Sequence, residues 1–158
     1  MIFDILDGLQ IRYRSLFHPP VTDSVSGEKY YKGFTGGKIK NLFLQNHKKN
    51  RFYLVLLESC KLADLKAISR MVHEKRLSFA APEQLADYLG GEPGVVTPFG
   101  LRHDKQNKVV VCIDSEMLNY SELAFHGDES TSGLIIGAQD FMRYLDWTGN
   151  EYHVFACK

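Results

Sequence analysis

The stretch KIKNLFLQNHKKNRFYLVLLE, residues 38–58, decides what kind of fold this chain can adopt. Two runs rich in Leu, Phe, Tyr and Val, KIKNLFLQ (38–45) and RFYLVLLE (51–58), flank the polar segment NHKKN (46–50). Such runs suit a pleated, half-buried surface, and a short polar connection between them reads as a β-hairpin. The first run opens with Lys38, Lys40 and Asn41, an odd mouth for a segment expected to be core from Leu42 onward. Strand alternation puts Lys38 and Lys40 on one face and Asn41 on the other. Lys40 is then either an ordinary solvated residue at a strand end or a cation aimed at something.

Working outward, IFDILDGLQ (2–10) reads as a short helix leading into an extended piece, IRYRSLF (11–17). The paired prolines of HPPVTDS (18–24) forbid regular structure, and Thr22, Asp23 or Ser24 can cap a short helix over SGEKYYKGF (26–34). Beyond the hairpin, apolar residues at 62, 65, 68, 71 and 72 predict a helix over LADLKAISRMVHEK (62–75). LSFA (77–80) is a short strand, and APEQLADYLGG (81–91) is a helix with Pro82 in its first turn and Gly90 or Gly91 stopping it. EPGVVTPFGL (92–101) reads as a loop, bounded by Pro93, Gly94 and Pro98. KVVVCID (108–114), ELAFH (122–126), SGLIIG (132–137) and EYHVFA (151–156) are strands, with a helix over AQDFMRYLDWTG (138–149). Adjacent strands with inserted helices imply one α/β (α+β) domain over residues 1–158, its mixed, largely antiparallel central sheet flanked by helices.

Composition narrows the function classes. At 158 residues, with 44% hydrophobic and 24% charged content, the chain is long enough to bury a real core. No window approaches the roughly 18 consecutive apolar residues of a membrane helix, and MIFDILDGLQ carries two aspartates and no basic leader, so a cytoplasmic protein is expected. Cys60, Cys112 and Cys157 form no C-x-x-C pair, which suggests reduced thiols, with Cys112 in the core. The net charge of zero argues against non-specific coating of nucleic acid. The charge is nevertheless segregated. Residues 29–57 hold Lys29, Lys32, Lys38, Lys40, Lys48, Lys49 and Arg51 with no acid, and residues 109–142 hold six acids with no Lys or Arg. A basic region of this kind is able to contact a few phosphates with salt-sensitive affinity.

The chemistry-bearing residues are few. In GVVTP, Gly94 allows a ligand close to the main chain, Pro98 fixes the exit, and Val95, Val96 and Thr97 lie between. Backbone N–H groups of such a loop are able to bind a carbonyl or oxyanion, although an apolar loop centre also folds back on a core. His126 closes a strand, where it is a general base, a hydrogen-bond donor or a packed terminus. Histidine spacing supports no metal site, and Walker, dinucleotide and G-x-S-x-G motifs are absent, so no metal and no cofactor are expected.

In order, HPPV (18–21), KNLFL (40–44), LSFA (77–80), EQLADYLG (83–90), GVVTPFGL (94–101) and FH (125–126) resemble the prolyl-tRNA synthetase editing-domain, or YbaK-like, superfamily. The similarity is greatest to its freestanding Ala-tRNA(Pro) deacylases and covers nearly the whole chain. The resemblance implies hydrolysis of the ester of mischarged Ala-tRNA(Pro), by a water that the substrate's own ribose hydroxyl assists. It implies that Lys40 helps hold the terminal adenosine and phosphate, that Gly94, Val95, Val96, Thr97 and Pro98 bind the aminoacyl end, and that His126 lines the pocket. Asn41 is expected beside the substrate. The implied partners are the tRNA(Pro) acceptor end and prolyl-tRNA synthetase. HGDEST (126–131) departs from a frequent His-Pro, which leaves open another small amino acid, such as Ser or Cys, or a non-catalytic module that binds aminoacyl-tRNA.

Overall fold

A computed structural model describes residues 2–17, 34–90, 96–126 and 132–156. The hairpin is its centre. Strand β2 (Gly37–Asn46) pairs antiparallel with β3 (Phe52–Glu58), with Lys40 opposite Leu57 and Gln45 opposite Phe52. The other strands are β1 (Tyr13–Phe17), β4 (Leu77–Phe79), β5 (Val109–Asp114), β6 (Glu122–His126), β7 (Ser132–Gly137) and β8 (Tyr152–Phe155). Among the described residues they form one mixed sheet in the order β1-β7-β6-β2-β3-β5-β8, with β4 also on β2. The contacts β2–β6, β3–β5 and β5–β8 are parallel, and the other four are antiparallel.

The near-continuous apolar run of β3 follows from burial on both faces. Phe52, Leu54 and Leu56 join Ile39 and Phe43 of β2 in one core, which also takes Phe99, Phe125, Phe141 and Tyr144. Tyr53, Val55 and Leu57 join Leu44, Ile68 and Cys112 in a second core on the opposite face. Helices α1 (Ile2–Gly8), α3 (Pro82–Leu89) and α4 (Ala138–Thr148) contribute to the first core, and α2 (Leu65–Met71) to the second. Each Leu or Phe so enclosed contributes about 1.5–3 kcal/mol relative to exposure. Ile39 is as buried as the residues after Leu42, so the core begins earlier in β2 than the sequence reading set it.

Local chemistry fixes the element ends. The Asp64 carboxylate accepts from Ala67 N (3.1 Å) and starts α2 three residues inside the predicted boundary, and His73 at φ 62° ends that turn before residue 75. Pro82 opens α3 and Gly90 stops it. The pair Gly36-Gly37 ahead of Lys38 answers to close approach: a Cβ on Gly36 would lie 2.5 Å from the Glu122 carbonyl, and one on Gly37 2.7 Å from the Tyr120 ring. Two 3-10 helices, Pro98–His103 and Ser115–Asn119, are corrections to the sequence reading, which had the first within a loop. The helix expected over 26–34 and the HPPV segment lie outside the described residues. No described helix is long and apolar enough to cross a membrane.

Candidate active site

The edge of β2 that faces away from β3 is interrupted. Strand β6 pairs with it only at Gly37 and Lys38, and β4 only from Leu44 to Asn46. Among the described residues no strand pairs with Ile39–Phe43 on that edge, although the Phe43 carbonyl accepts from Ala80 N (3.0 Å). Lys40 and Asn41 therefore sit in a break of the sheet. Strand β6 runs on to His126, two residues beyond the last pair with β2, Lys38↔Ala124.

Asn41 faces the first core. Its Nδ2 donates to the Val96 carbonyl at 2.9 Å and ties the end of the Gly94–Pro98 loop across the break. Its Oδ1 is buried without a partner, a state that costs about 1–3 kcal/mol unless a donor arrives. Thr97 and Pro98 are buried beyond Val96, where Thr97 caps the 3-10 helix by accepting from Phe99 N (3.3 Å). The Tyr144 hydroxyl lies 3.1 Å from the carbonyls of both Pro98 and Phe99, and Arg102 donates to the latter at 2.6 Å. A segment held at so many points presents its main chain in one geometry. Gly94 and Val95 lie outside the described residues.

Lys40 leaves the opposite face of β2, half-buried, and its ammonium donates to the Lys61 carbonyl. That acceptor is neutral, and among the described residues Lys40 makes no ion pair, so its charge stays available to an anion. Two nearby carboxylates are held by Lys61, whose Nζ lies 2.7 Å from the fully buried Asp114 and 3.4 Å from Glu116. Burial works against the Lys61 ammonium, but hydrogen bonds and charge from Asp114 and then Glu116 outweigh it and raise its pKa. Asp114 also accepts from Glu116 N (3.1 Å) at the start of its 3-10 helix. The carboxylate of Glu58, then burial, raises the pKa of Tyr120 on the same side.

The structure thus brings together Asn41, Val96, Thr97 and Pro98, and sets Lys40 at the same break from the other face. Lys61 and Asp114, which fix the Lys40 contact, belong to no sequence motif. Their link joins a turn to the end of β5, and spacing along the chain carries no trace of it.

Residues 18–144 match the family described as the aminoacyl-tRNA editing domain. The chain belongs to this editing-domain family. It is 30% identical over 147 residues to the prolyl-tRNA editing protein ProX of Acetoanaerobium sticklandii, covering 93% of this chain and 90% of that protein. It is 27% identical to the prolyl-tRNA synthetase associated domain-containing protein 1 of Danio rerio, over 92% of this chain and 79% of that one. In fold the editing domain is similar to a solved protein proposed to be a trans-editing enzyme for prolyl tRNA synthetase. The TM-score is 0.70 at 20% identity, over 99% of this chain and 97% of the other. The hypothetical protein APE2540 superposes with a TM-score of 0.74 at 14% identity, over 96% and 95% of the two chains.

Proposed function

We propose that the chain is a single trans-editing deacylase domain, residues 1–158, that hydrolyses the ester of mischarged Ala-tRNA(Pro). The observation that carries this reading is the Asn41–Val96 bond across the sheet break, with the Lys40 cation at the same place, in a chain of the editing-domain family. Alanine lacks methylenes that proline has, and a missing methylene gives a pocket only about 1–3 kcal/mol of discrimination, so a second site that admits the smaller residue corrects the error.

In this reading the aminoacyl ester lies in the break. Lys40 binds the phosphate next to the terminal adenosine. Backbone groups of Gly94, Val95, Val96, Thr97 and Pro98 hold the aminoacyl end, and the buried Asn41 Oδ1 accepts from its ammonium. His126 lines the pocket. The attacking water is assisted by the free ribose hydroxyl beside the ester. Its oxygen bonds to the carbonyl carbon, the ester C–O bond breaks, and the ribose oxygen leaves with a proton. The fixed groups position the reactants rather than enter the covalent chemistry. The tRNA(Pro) acceptor end is the partner, with prolyl-tRNA synthetase as the enzyme whose errors are corrected.

Purified protein incubated with Ala-tRNA(Pro) and Pro-tRNA(Pro) tests this directly. The alanyl ester is expected to decay faster than in buffer while the prolyl ester survives. Equal decay with and without protein overturns the reading. Preferential loss of a seryl or cysteinyl ester keeps the deacylase and changes its substrate.

A further inference from the structure

The basic region that contains Lys40 in sequence is divided in space. Lys40 lies opposite Leu57, and Arg51 is six residues further along β3, at the hairpin turn, about 20 Å away at the usual strand rise. Exposed cations from three parts of the chain meet at that far end. Lys48 sits in the turn and Arg51 follows it. The register Asn46↔Leu77 brings Arg76 alongside, and its Nη2 lies 2.8 Å from His47 Nδ1. The register Phe52↔Val109 brings Lys108 next to Arg51, with Lys105 in the preceding turn.

The acids of this end offset that charge only in part. Glu74 accepts from the Tyr53 hydroxyl (2.5 Å), and Asp104 is buried and accepts from Lys108 N, Val109 N and Asn150. Glu151 is paired with His153 at 2.7 Å. Between the end of α2 and strands β3, β5 and β8 the surface is concave. A cleft of about 640 Å³ opens there, lined among others by Arg51, Lys108, His73, His153 and one acid, Glu151. Glu58, Glu116 and Glu122 stand at the Lys40 end of the sheet, where Glu116 pairs with Lys61 and Glu122 with Arg14. Lys48, Arg51, Arg76, Lys105 and Lys108 thus outnumber Glu74, Asp104 and Glu151 at the far end of the hairpin.

We infer that this cleft and the hairpin turn bind the phosphodiester backbone of the RNA whose aminoacyl end lies at the sheet break. The inference rests on the tRNA reading of that break. Lys and Arg on turns around a concave surface suit a phosphate backbone, which needs charge without sequence readout. The 20 Å offset places the contacts on the stem rather than on the aminoacyl end, so this surface sets affinity and leaves the chemistry alone.

The test is fluorescence anisotropy with labelled, uncharged tRNA(Pro) transcript between 50 and 200 mM salt. It compares the wild type with a Lys48→Ala/Arg51→Ala/Lys108→Ala triple variant and with the single turn variant Lys48→Glu, whose fold is the safer. The triple variant is expected to bind at least tenfold more weakly at low salt, with a log–log salt slope shallower by about 2–3, since each lost phosphate contact removes about 0.7–0.9. Its kcat on Ala-tRNA(Pro) is expected to hold while KM rises. Lys48→Glu is expected to weaken binding in the same direction. Affinity and slope within twofold of wild type in both variants overturn the inference. Polyglutamate that competes as well as unlabelled tRNA also overturns it, in favour of an acidic protein partner. If the wild type binds tRNA through these residues but hydrolyses no ester, the deacylase reading fails and the surface stands. If hydrolysis is normal and KM does not move, the surface fails and the reading stands.

Discussion

At the scale of single residues, Lys40 and Asn41 are neighbours that act from opposite sides of one strand. Lys40→Ala removes a cation whose ammonium hydrogen-bonds the neutral Lys61 carbonyl and makes no ion pair among the described residues. It is expected to abolish most deacylation with little change in far-UV circular dichroism or Tm, and near-normal turnover would remove Lys40 from the site. Asn41→Ala frees the Val96 carbonyl and deletes the waiting acceptor. Two hydrogen bonds at about 1–1.5 kcal/mol each correspond to a fall in kcat/KM of roughly 30- to 150-fold, read in steady-state kinetics. The thiols separate as sharply. Burial, and then the charge of Glu151, pushes Cys112 up to about 12, whereas Cys60 is exposed. Peptide mapping after alkylation of the native protein at pH 8 is expected to find Cys60 modified and Cys112 untouched until the chain unfolds.

At the scale of elements, the turn after β3 is the part that positions Lys40. Asp114 at the end of β5 grips Lys61, and the Lys61 carbonyl receives the Lys40 ammonium. Asp114→Asn takes the buried carboxylate away from Lys61. The expected loss is about 3 kcal/mol, the low end for breaking a buried pair, measured by urea unfolding. The pH dependence has a definite sign. Lys61 has a raised folded pKa, so its contribution is full below its unfolded value near ~10.4 and fades as pH rises through the folded value. The difference in stability between wild type and Asp114→Asn should shrink above about pH 10.4. The strands and helices themselves were legible because local residues mark them, as in the apolar run of β3 or the Pro82 and Gly90 that bracket α3. The 3-10 helix Pro98–His103 was not, since short i→i+3 turns have no hydrophobic period and this one depends on the Thr97 cap and on Tyr144 from another element.

At the scale of the whole molecule, the loop holds its place through an aromatic cluster. Phe99 meets Phe125 edge-on at 5.7 Å, Phe141 at 6.4 Å and Tyr144 at 5.3 Å, which joins the 3-10 helix to β6 and α4. Phe99→Ala is expected to cost about 3–5 kcal/mol in denaturant unfolding, and to release the segment that Asn41 grips. The sequence by itself determined the strands, most of the helices and the editing-domain family, because apolar periodicity and ordered local motifs are properties of neighbours along the chain. It also marked Lys40, Asn41 and the Gly94–Pro98 loop as candidates. Only the tertiary structure decided that the edge of β2 away from β3 has no partner strand between Lys38 and Leu44 among the described residues, that Asn41 bridges to Val96, and that Lys61 and Asp114 stand behind Lys40. Those contacts join residues from 21 to 55 positions apart, and their geometry is set by sheet order, which no local spacing encodes.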